Sequence, residues 1–321
     1  MSRQEKRANK RRRSKLLHKI TLAAGEGVGR AVAFTFALAT NAFAAEPEPK
    51  KEETFALPQV TVTDKSNPYV VPNLGLQRLP EPIQNIPQSI IVVPRQLIQE
   101  QAATTLRDAL RNVTGIGIAA GEGGGAQGDN FTLRGFSARN DMYLDGVRDQ
   151  GTYFRDTFNI ESVEVLKGPA SIYFGRGSTG GIINQVSKTP RLEGFYDGTA
   201  SAGSGPYFRG TADINQTLSP TIALRVNAMA QHADIVDRDH VKVTRQGFAP
   251  TLTLGLGTPT QMTFGYFFQH ENNVSDQGFP FFHGKPVRVE RGTWYGLTDD
   301  DYERTYTNMA NISLNHRFSE A

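Results

Sequence analysis

The hydrophobic pattern of this 321-residue chain is most regular in its last third. Apolar residues alternate with polar or small ones over 195–204, 207–218, 222–234, 245–257, 260–271 and 304–318. In IALRVNAMAQHAD, Leu224, Val226, Ala228 and Ala230 point one way, and Arg225, Asn227, Met229 and Gln231 the other. In MANISLNHRF, Ala310, Ile312, Leu314 and Phe318 oppose Asn311, Ser313, Asn315 and Arg317. Period two marks strands whose faces meet different surroundings, in either a soluble sandwich or a membrane barrel. The connections separate these. Turns at Ser219-Pro220 and Gly257 to Thr260 are tight, whereas Asp234 to Lys242 and Asn272 to Asp301 are long. Short turns alternating with long loops fit a bacterial barrel, and a loop as long as the second is foreign to a compact sandwich. The pattern predicts about six strands of a transmembrane antiparallel β-barrel over residues 194–321. So few strands leave two unpaired edges, so the barrel is expected to be incomplete in this chain, the N-terminal portion of a longer protein.

Residues 76–190 read as a compact α+β domain. QSIIVVP (Gln88 to Pro94) is a short apolar strand, followed by helical periodicity through RQLIQEQAATTLRDALRNV. Leu106, Ala109, Leu110 and Val113 share one face of that pattern. Thr105 with Asp108 forms a capping box, and Gly115 is a stop. NFTLRGF, DMYLDGV and VEVLKG are further strands separated by turn residues.

Charge changes the picture at the front of the chain. Residues 1–44 hold ten Lys/Arg and two Asp/Glu, which leaves 25 cations against 30 anions from Ala45 onward. The basic character therefore lies in one segment and does not argue for nucleic acid as a partner. RANKRRRSKLLHK, the apolar run Ala31 to Ala39 and Ala42-Phe43-Ala44 have the order of an export signal with its cleavage site. Residues 1–44 are thus expected to be a bacterial signal peptide. No stretch reaches the roughly 18 apolar residues of a membrane-spanning helix. Residues 45–75 form a proline- and charge-rich linker containing LPQVTVT. That segment (Leu57, Pro58, Gln59, Val60, Thr61, Val62, Thr63) suits either a strand donated to another protein's sheet or the first strand of the next domain.

The run VEVLKGPASIYFGRGSTGGIINQVSKTP raises the question of a phosphate-binding loop. Such a loop follows a strand and opens a helix. Here a helix over Pro169 to Phe174 precedes the glycines and the strand GIINQVS follows them, so no helix N-terminus faces the loop. GEGGGAQGDN (Gly121 to Asn130) likewise precedes a strand and is not a dinucleotide fingerprint. No nucleophile–base–orienter set can be assembled, and there are no cysteines. The six histidines lack metal-ligand spacing. Neither enzyme activity nor a resident cofactor or metal is expected.

FTLRGFS, YLDGVRD and YFRDTFNIESVEVLKGPASIYFGRGSTGGIINQVSKTP, in that order and spacing, resemble the plug domain of TonB-dependent ferric-siderophore receptors. YFRDTFN is similar to the catecholate branch. The resemblance covers residues 55–320 and implies a plug enclosed by a barrel in the bacterial outer membrane. It implies a ferric siderophore, holding its own iron, as ligand. It also implies TonB with its inner-membrane energising complex as partner, acting on Leu57 to Thr63 as the TonB box. A periplasmic or surface binding or signalling module without transport activity is the competing reading.

By position, the apical loops would be Gly121 to Asn130, Ser137 to Asp141 and Asp149 to Asp156. Arg139, Tyr153, Phe154 and Arg155 are the expected ligand-facing residues, since aromatic faces and guanidinium forks suit a bulky anionic chelate. Plug core is the alternative for Tyr153 and Phe154, and solvated loop charge the alternative for Arg139 and Arg155. Arg134, Glu164, Lys167 and Arg176 lie in the strongest motifs and are expected to form plug-to-barrel ion pairs, with barrel partners beyond residue 321. Phe279, Phe281, Phe282, Trp294 and Tyr295 crowd the long loop, as ligand cover or as loop packing.

Overall fold

Six antiparallel strands form the larger sheet of the computed structural model. They are β9 (Phe195–Gly203), β10 (Tyr207–Ser219), β11 (Ile222–Asp234), β12 (Lys242–Leu254), β13 (Thr260–Val274) and β16 (Glu303–His316). Their order is β16-β13-β12-β11-β10-β9, an open meander with β9 and β16 at its edges. The structure describes residues 67–118, 128–175, 177, 179–276, 278–297 and 300–318, all within the compact unit Thr63–Ala321. The expected signal peptide, the TonB box, Arg176 and most of the Gly121 to Asn130 loop lie outside the described residues.

The alternation resolves into an inverted solubility pattern. Arg209, Asp213, Asn215, Arg225, Asn227, Gln231, Arg245, Gln269 and Glu271 are buried, while Phe208, Ile214, Leu218, Phe248, Phe264, Ile312 and Leu314 are exposed. A water-soluble sandwich would reverse these faces. A sheet with its polar face inward and its apolar face outward is the wall of a membrane barrel. Here that wall is partial, and no helix among the described residues is long and apolar enough to cross a membrane.

The polar face covers an α+β plug. Its main sheet has the order β1-β7-β8-β5-β6, with β1 Ser89–Pro94, β5 Met142–Leu144, β6 Val147–Arg148, β7 Ile160–Lys167 and β8 Gly181–Ser187. β2 (Ile116–Ile118), β3 (Phe131–Leu133) and β4 (Phe136–Ser137) form a smaller sheet. The expected strand NFTLRGF is divided because Arg134 and Gly135 both take positive φ. DMYLDGV becomes a hairpin for the same reason at Asp145 and Gly146, as two-residue hairpin turns require. The helical pattern after β1 also divides, into α1 (Arg95–Glu100) and α2 (Leu106–Leu110), with Ala102 in the left-handed region between them. The Thr105–Asp108 capping box is formed and starts α2. α2 buries Leu106, Ala109 and Leu110 against Phe131, Val163, Val165 and Ile183, the main plug core. A second cluster joins Leu76, Leu79, Tyr143, Leu166, Phe174 and Ile182.

The glycine run serves this packing. α3 (Ser171–Phe174) ends at Gly175, with φ 78°, and the chain returns into β8 through Gly180 and Gly181. A Cβ on Gly180 would lie 2.1 Å from Leu133 O, and one on Gly181 2.0 Å from Leu166 O. These glycines let backbone meet backbone inside the plug.

Candidate functional site

The loop between β6 and β7 carries Asp149, Arg155 and Asp156. At its centre Arg155 is buried, against the expectation that it faces a ligand. Its Nε donates to Asp149 Oδ2 at 2.9 Å, its Nη2 to Gly151 O at 3.0 Å, and its backbone N–H to Asp129 Oδ2 at 3.0 Å. The guanidinium carbon stands 4.3 Å from the centre of the Tyr153 ring. Tyr153 is also buried, and its hydroxyl donates to Asp149 Oδ2 at 2.8 Å. Burial pushes the Tyr153 phenol above its ordinary pKa and raises the Asp129 carboxyl as well, the latter opposed by Arg155. Tyr153 and Arg155 therefore shape the loop from within. A guanidinium with two carboxylates to satisfy is held inside because leaving those carboxylates buried and unpaired would be costly.

Of the four expected ligand-facing residues, Arg139 is exposed and Phe154 half-buried. Arg139 Nη2 lies 3.5 Å from Thr152 Oγ1, which brings the Ser137–Asp141 loop beside the 149–156 loop. Phe154 has the guanidinium of Arg107 at 5.5 Å and that of Arg245 at 5.8 Å from its ring centre. The plug and the strand wall thus share one cation–aromatic surface.

Plug and strands are joined by two buried carboxylates. Asp156, at the end of the loop, accepts from Arg209 of β10 through both oxygens, at 2.9 and 2.7 Å, with Arg245 of β12 3.7 Å away. Arg209 also donates to Gln231 Oε1 at 2.6 Å, and Arg245 Nε lies 3.0 Å from Glu271 Oε1. Asp213 of β10 is the second centre. Arg225 of β11 grips it with Nε and Nη2, each at 2.8 Å, while Lys188 Nζ lies at 3.0 Å and Arg95 Nη2 at 3.2 Å. Burial pushes Lys188 down to about 8, opposed by the Asp213 charge.

The residues expected to join the two domains, whose partners are expected beyond residue 321, do not supply these contacts, and Arg176 lies outside the described residues. Glu164 is fully buried and, among the described residues, meets no cation: it accepts from Gly75 N at 2.6 Å and Asn184 Nδ2 at 2.9 Å, inside the plug. Burial raises its pKa. Lys167 donates to Thr114 Oγ1 at 3.0 Å, and Arg134 is exposed beside Gly168. Glu164 and Lys167 thus meet polar groups of the plug itself. The joining residues Asp156, Arg209, Asp213, Arg225 and Lys188 left one readable signal, the cations on the polar face of alternating strands.

Among the described residues no group of three or more His, Cys, Asp and Glu is placed to hold a metal ion. On the long loop, Trp294 Nε1 donates to Ser275 O at 3.0 Å and Phe279 packs under Arg238, while Phe281 and Phe282 are exposed on the β14–β15 hairpin (Phe281–Phe282 and Lys285–Pro286).

Comparison with known proteins matches these features. Residues 82–182 fit the TonB-dependent receptor plug domain. The probable TonB-dependent siderophore receptor PiuA of Acinetobacter baumannii is 37% identical over 247 residues, 74% of this chain and 33% of the relative. The catecholate siderophore receptor Fiu of Escherichia coli K12 is 34% identical over 321 residues, 94% of this chain and 40% of the relative. The crystal structure of the A. baumannii PiuA superposes with a TM-score of 0.75 at 36% identity, covering 78% of this chain and 37% of that one. The closed form of the E. coli ferric-catecholate import receptor Fiu gives 0.74 at 35% identity, covering 79% and 38%. The chain thus spans between a third and two fifths of the length of these curated relatives.

Proposed function

The chain belongs to the TonB-dependent siderophore receptors, and from that premise we propose that the whole receptor imports a ferric siderophore across the bacterial outer membrane. The observation that supports this reading best is the seating of the plug. Its ligand loops are locked by Asp156 to Arg209 and Arg245, near the ends of β10 and β12 that carry long loops or adjoin them. By the barrel rule that end faces the cell exterior. A ligand arriving from outside therefore meets Arg139 and Phe154 before it meets the plug core.

Arg139 supplies a guanidinium to an anionic chelate, and Phe154 an aromatic face already polarised by two neighbouring cations. Arg155 and Tyr153 hold those two in position. The relatives named for catecholate siderophores favour an aromatic, anionic ligand of that class. Energy would come from TonB pairing with Leu57 to Thr63 and pulling on the chain that leads into β1. Among the described residues β1 is an edge strand, paired with β7. Immediately after it, Arg95 is tied to Asp197 and Asp213 of the strand wall. A pull from the N-terminus therefore loads Gly75, Leu76 and Leu79, held by Glu164 and the second core cluster, and then β1, before it reaches the Arg95 ion pairs.

The test is uptake of an iron-labelled catecholate siderophore by iron-starved cells expressing the complete receptor. Uptake should require TonB and should be abolished by deleting 57–63, with binding to the cells retained. Recovery of the receptor as a soluble periplasmic protein, or uptake indifferent to TonB, would overturn the proposal.

A further inference from the structure

Residues 154–156 of the plug turn their backbone groups alternately to two neighbours, as a strand does inside a sheet. One neighbour is the strand wall. Phe154 N–H donates to Glu271 Oε2 at 3.5 Å, Phe154 O accepts from Gln269 Nε2 at 2.5 Å, and Asp156 N–H donates to Gln269 Oε1 at 3.4 Å. The other neighbour is the plug. Arg155 N–H donates to Asp129 Oδ2 at 3.0 Å, and Arg155 O accepts from Leu106 N–H at 2.8 Å. On the wall side, then, two side chains of β13 take the place of a partner strand.

Gln269 suits that place because a carboxamide carries both a donor and an acceptor. These match the C=O and the N–H, two residues apart, that an extended chain turns to one edge. The carboxamide is itself held. Gln269 is fully buried, and its Nε2 also donates to Glu271 Oε1 at 3.0 Å. Glu271 is equally buried, with Arg245 Nε of β12 at 3.0 Å and Thr305 Oγ1 of β16 donating to its Oε2 at 3.4 Å. Three strands of the wall thus fix one carboxamide, which fixes the backbone from Phe154 to Asp156. With both edges of that segment bonded, the Phe154 ring projects from the face between them, beside the guanidinium groups of Arg107 and Arg245.

We propose that Gln269 is a positioning residue for ligand recognition: from the barrel wall it sets the place and direction of the Phe154 ring on which an aromatic chelate stacks. This rests on the reading of Phe154 as a ligand contact. It adds that the contact is held in place by the wall, whereas Arg139 is borne on a plug loop. A chelate touching both is gripped by two bodies, so its affinity depends on how the plug is seated against β13.

A double-mutant cycle on the complete receptor tests it, with equilibrium binding of ferric tris(catecholate) as the readout. Gln269→Leu removes both hydrogen bonds at nearly constant volume and should weaken binding about tenfold. Gln269→Asn keeps a carboxamide in the lumen but is one methylene too short to bridge, and should weaken binding in the same direction should the leucine variant fail to fold. In a Phe154→Ala background neither change should weaken binding further. The same loss with and without the Phe154 ring would assign Gln269 to general stability and overturn the proposal, as would unaltered binding in both Gln269 variants. Amide exchange of the unliganded receptor supplies a second readout. A peptide covering 152–158 should exchange about tenfold faster in Gln269→Leu, and unchanged exchange would overturn the clamp. Failure of the unmodified receptor to bind the catecholate, with faster exchange in Gln269→Leu, would count against the ligand reading and leave the clamp standing.

Discussion

Arg209 of β10 and Asp156 of the plug face each other through two parallel hydrogen bonds, 2.9 and 2.7 Å long, across 53 residues of sequence. The Asp156 side chain is fully buried and that of Arg209 is 8% exposed. Paired in this geometry the two charges are tolerated, whereas without Asp156 the buried Arg209 would be left beside the neutral Gln231. The pair therefore controls how firmly the 149–156 loop is held to the wall.

Asp156→Ala should destabilise the seated plug by about 3–5 kcal/mol, because Arg209 loses its buried counter-charge. Arg209→Met in the same background should recover part of that loss. Limited proteolysis of the complete receptor, comparing both single variants with the double variant, measures the coupling. Additive losses would show that the two side chains do not act as a pair.

Lys188 predicts a pH dependence. Burial lowers its pKa from 10.5 to about 8, so between those values the unfolded chain carries more protons than the folded one. Stability should then rise with pH across that window, by at most about 1.4 kcal/mol per pH unit for one group. Thermal unfolding of the receptor in detergent from pH 7.5 to 10.5 should show the rise, and Lys188→Met should flatten it. An identical slope in the variant would assign it to other groups.

Gly181→Ala should prevent normal plug packing. Gly181 has φ 133°, and its added methyl would meet Leu166 O at 2.0 Å, so neither the backbone nor the neighbour can relieve the contact. Strain and overpacking together should cost about 2–5 kcal/mol. The readout is a protease-sensitive plug within a barrel that still assembles.

Arg139→Ala and Arg155→Ala should separate ligand contact from loop support. Arg139 is exposed, so its loss should weaken chelate binding about tenfold with no change in melting temperature. Loss of Arg155 leaves Asp129 and Asp149 without their cation and should lower both binding and melting temperature. Equilibrium binding with parallel thermal melts checks both; a melting shift in Arg139→Ala would place that residue in the scaffold instead.

The strands, their inward and outward faces and the plug-then-wall order were legible in the sequence. Period-two alternation is written locally and the contrast between lipid and lumen acts on every residue of a strand. The Thr105–Asp108 cap was legible for the same local reason. The break between α1 and α2 was not, because a residue such as Ala102 takes a left-handed conformation only when surrounding contacts compensate its strain. The ion-pair partners were not legible either. Arg209 finds Asp156, and Lys188 and Arg225 converge on Asp213, only after plug and strands are brought together. Glu164, in the strongest motif, meets backbone and an amide. Arg155 looks like a surface residue in sequence and Tyr153 is open there between ligand and core; both are buried in the fold, since Asp129 and Asp149 draw the guanidinium inward. Periodicity is a property of neighbouring residues and survives in the linear chain. Pairing of buried charges depends on which distant groups share a low-dielectric space, and that was decided by the tertiary structure alone.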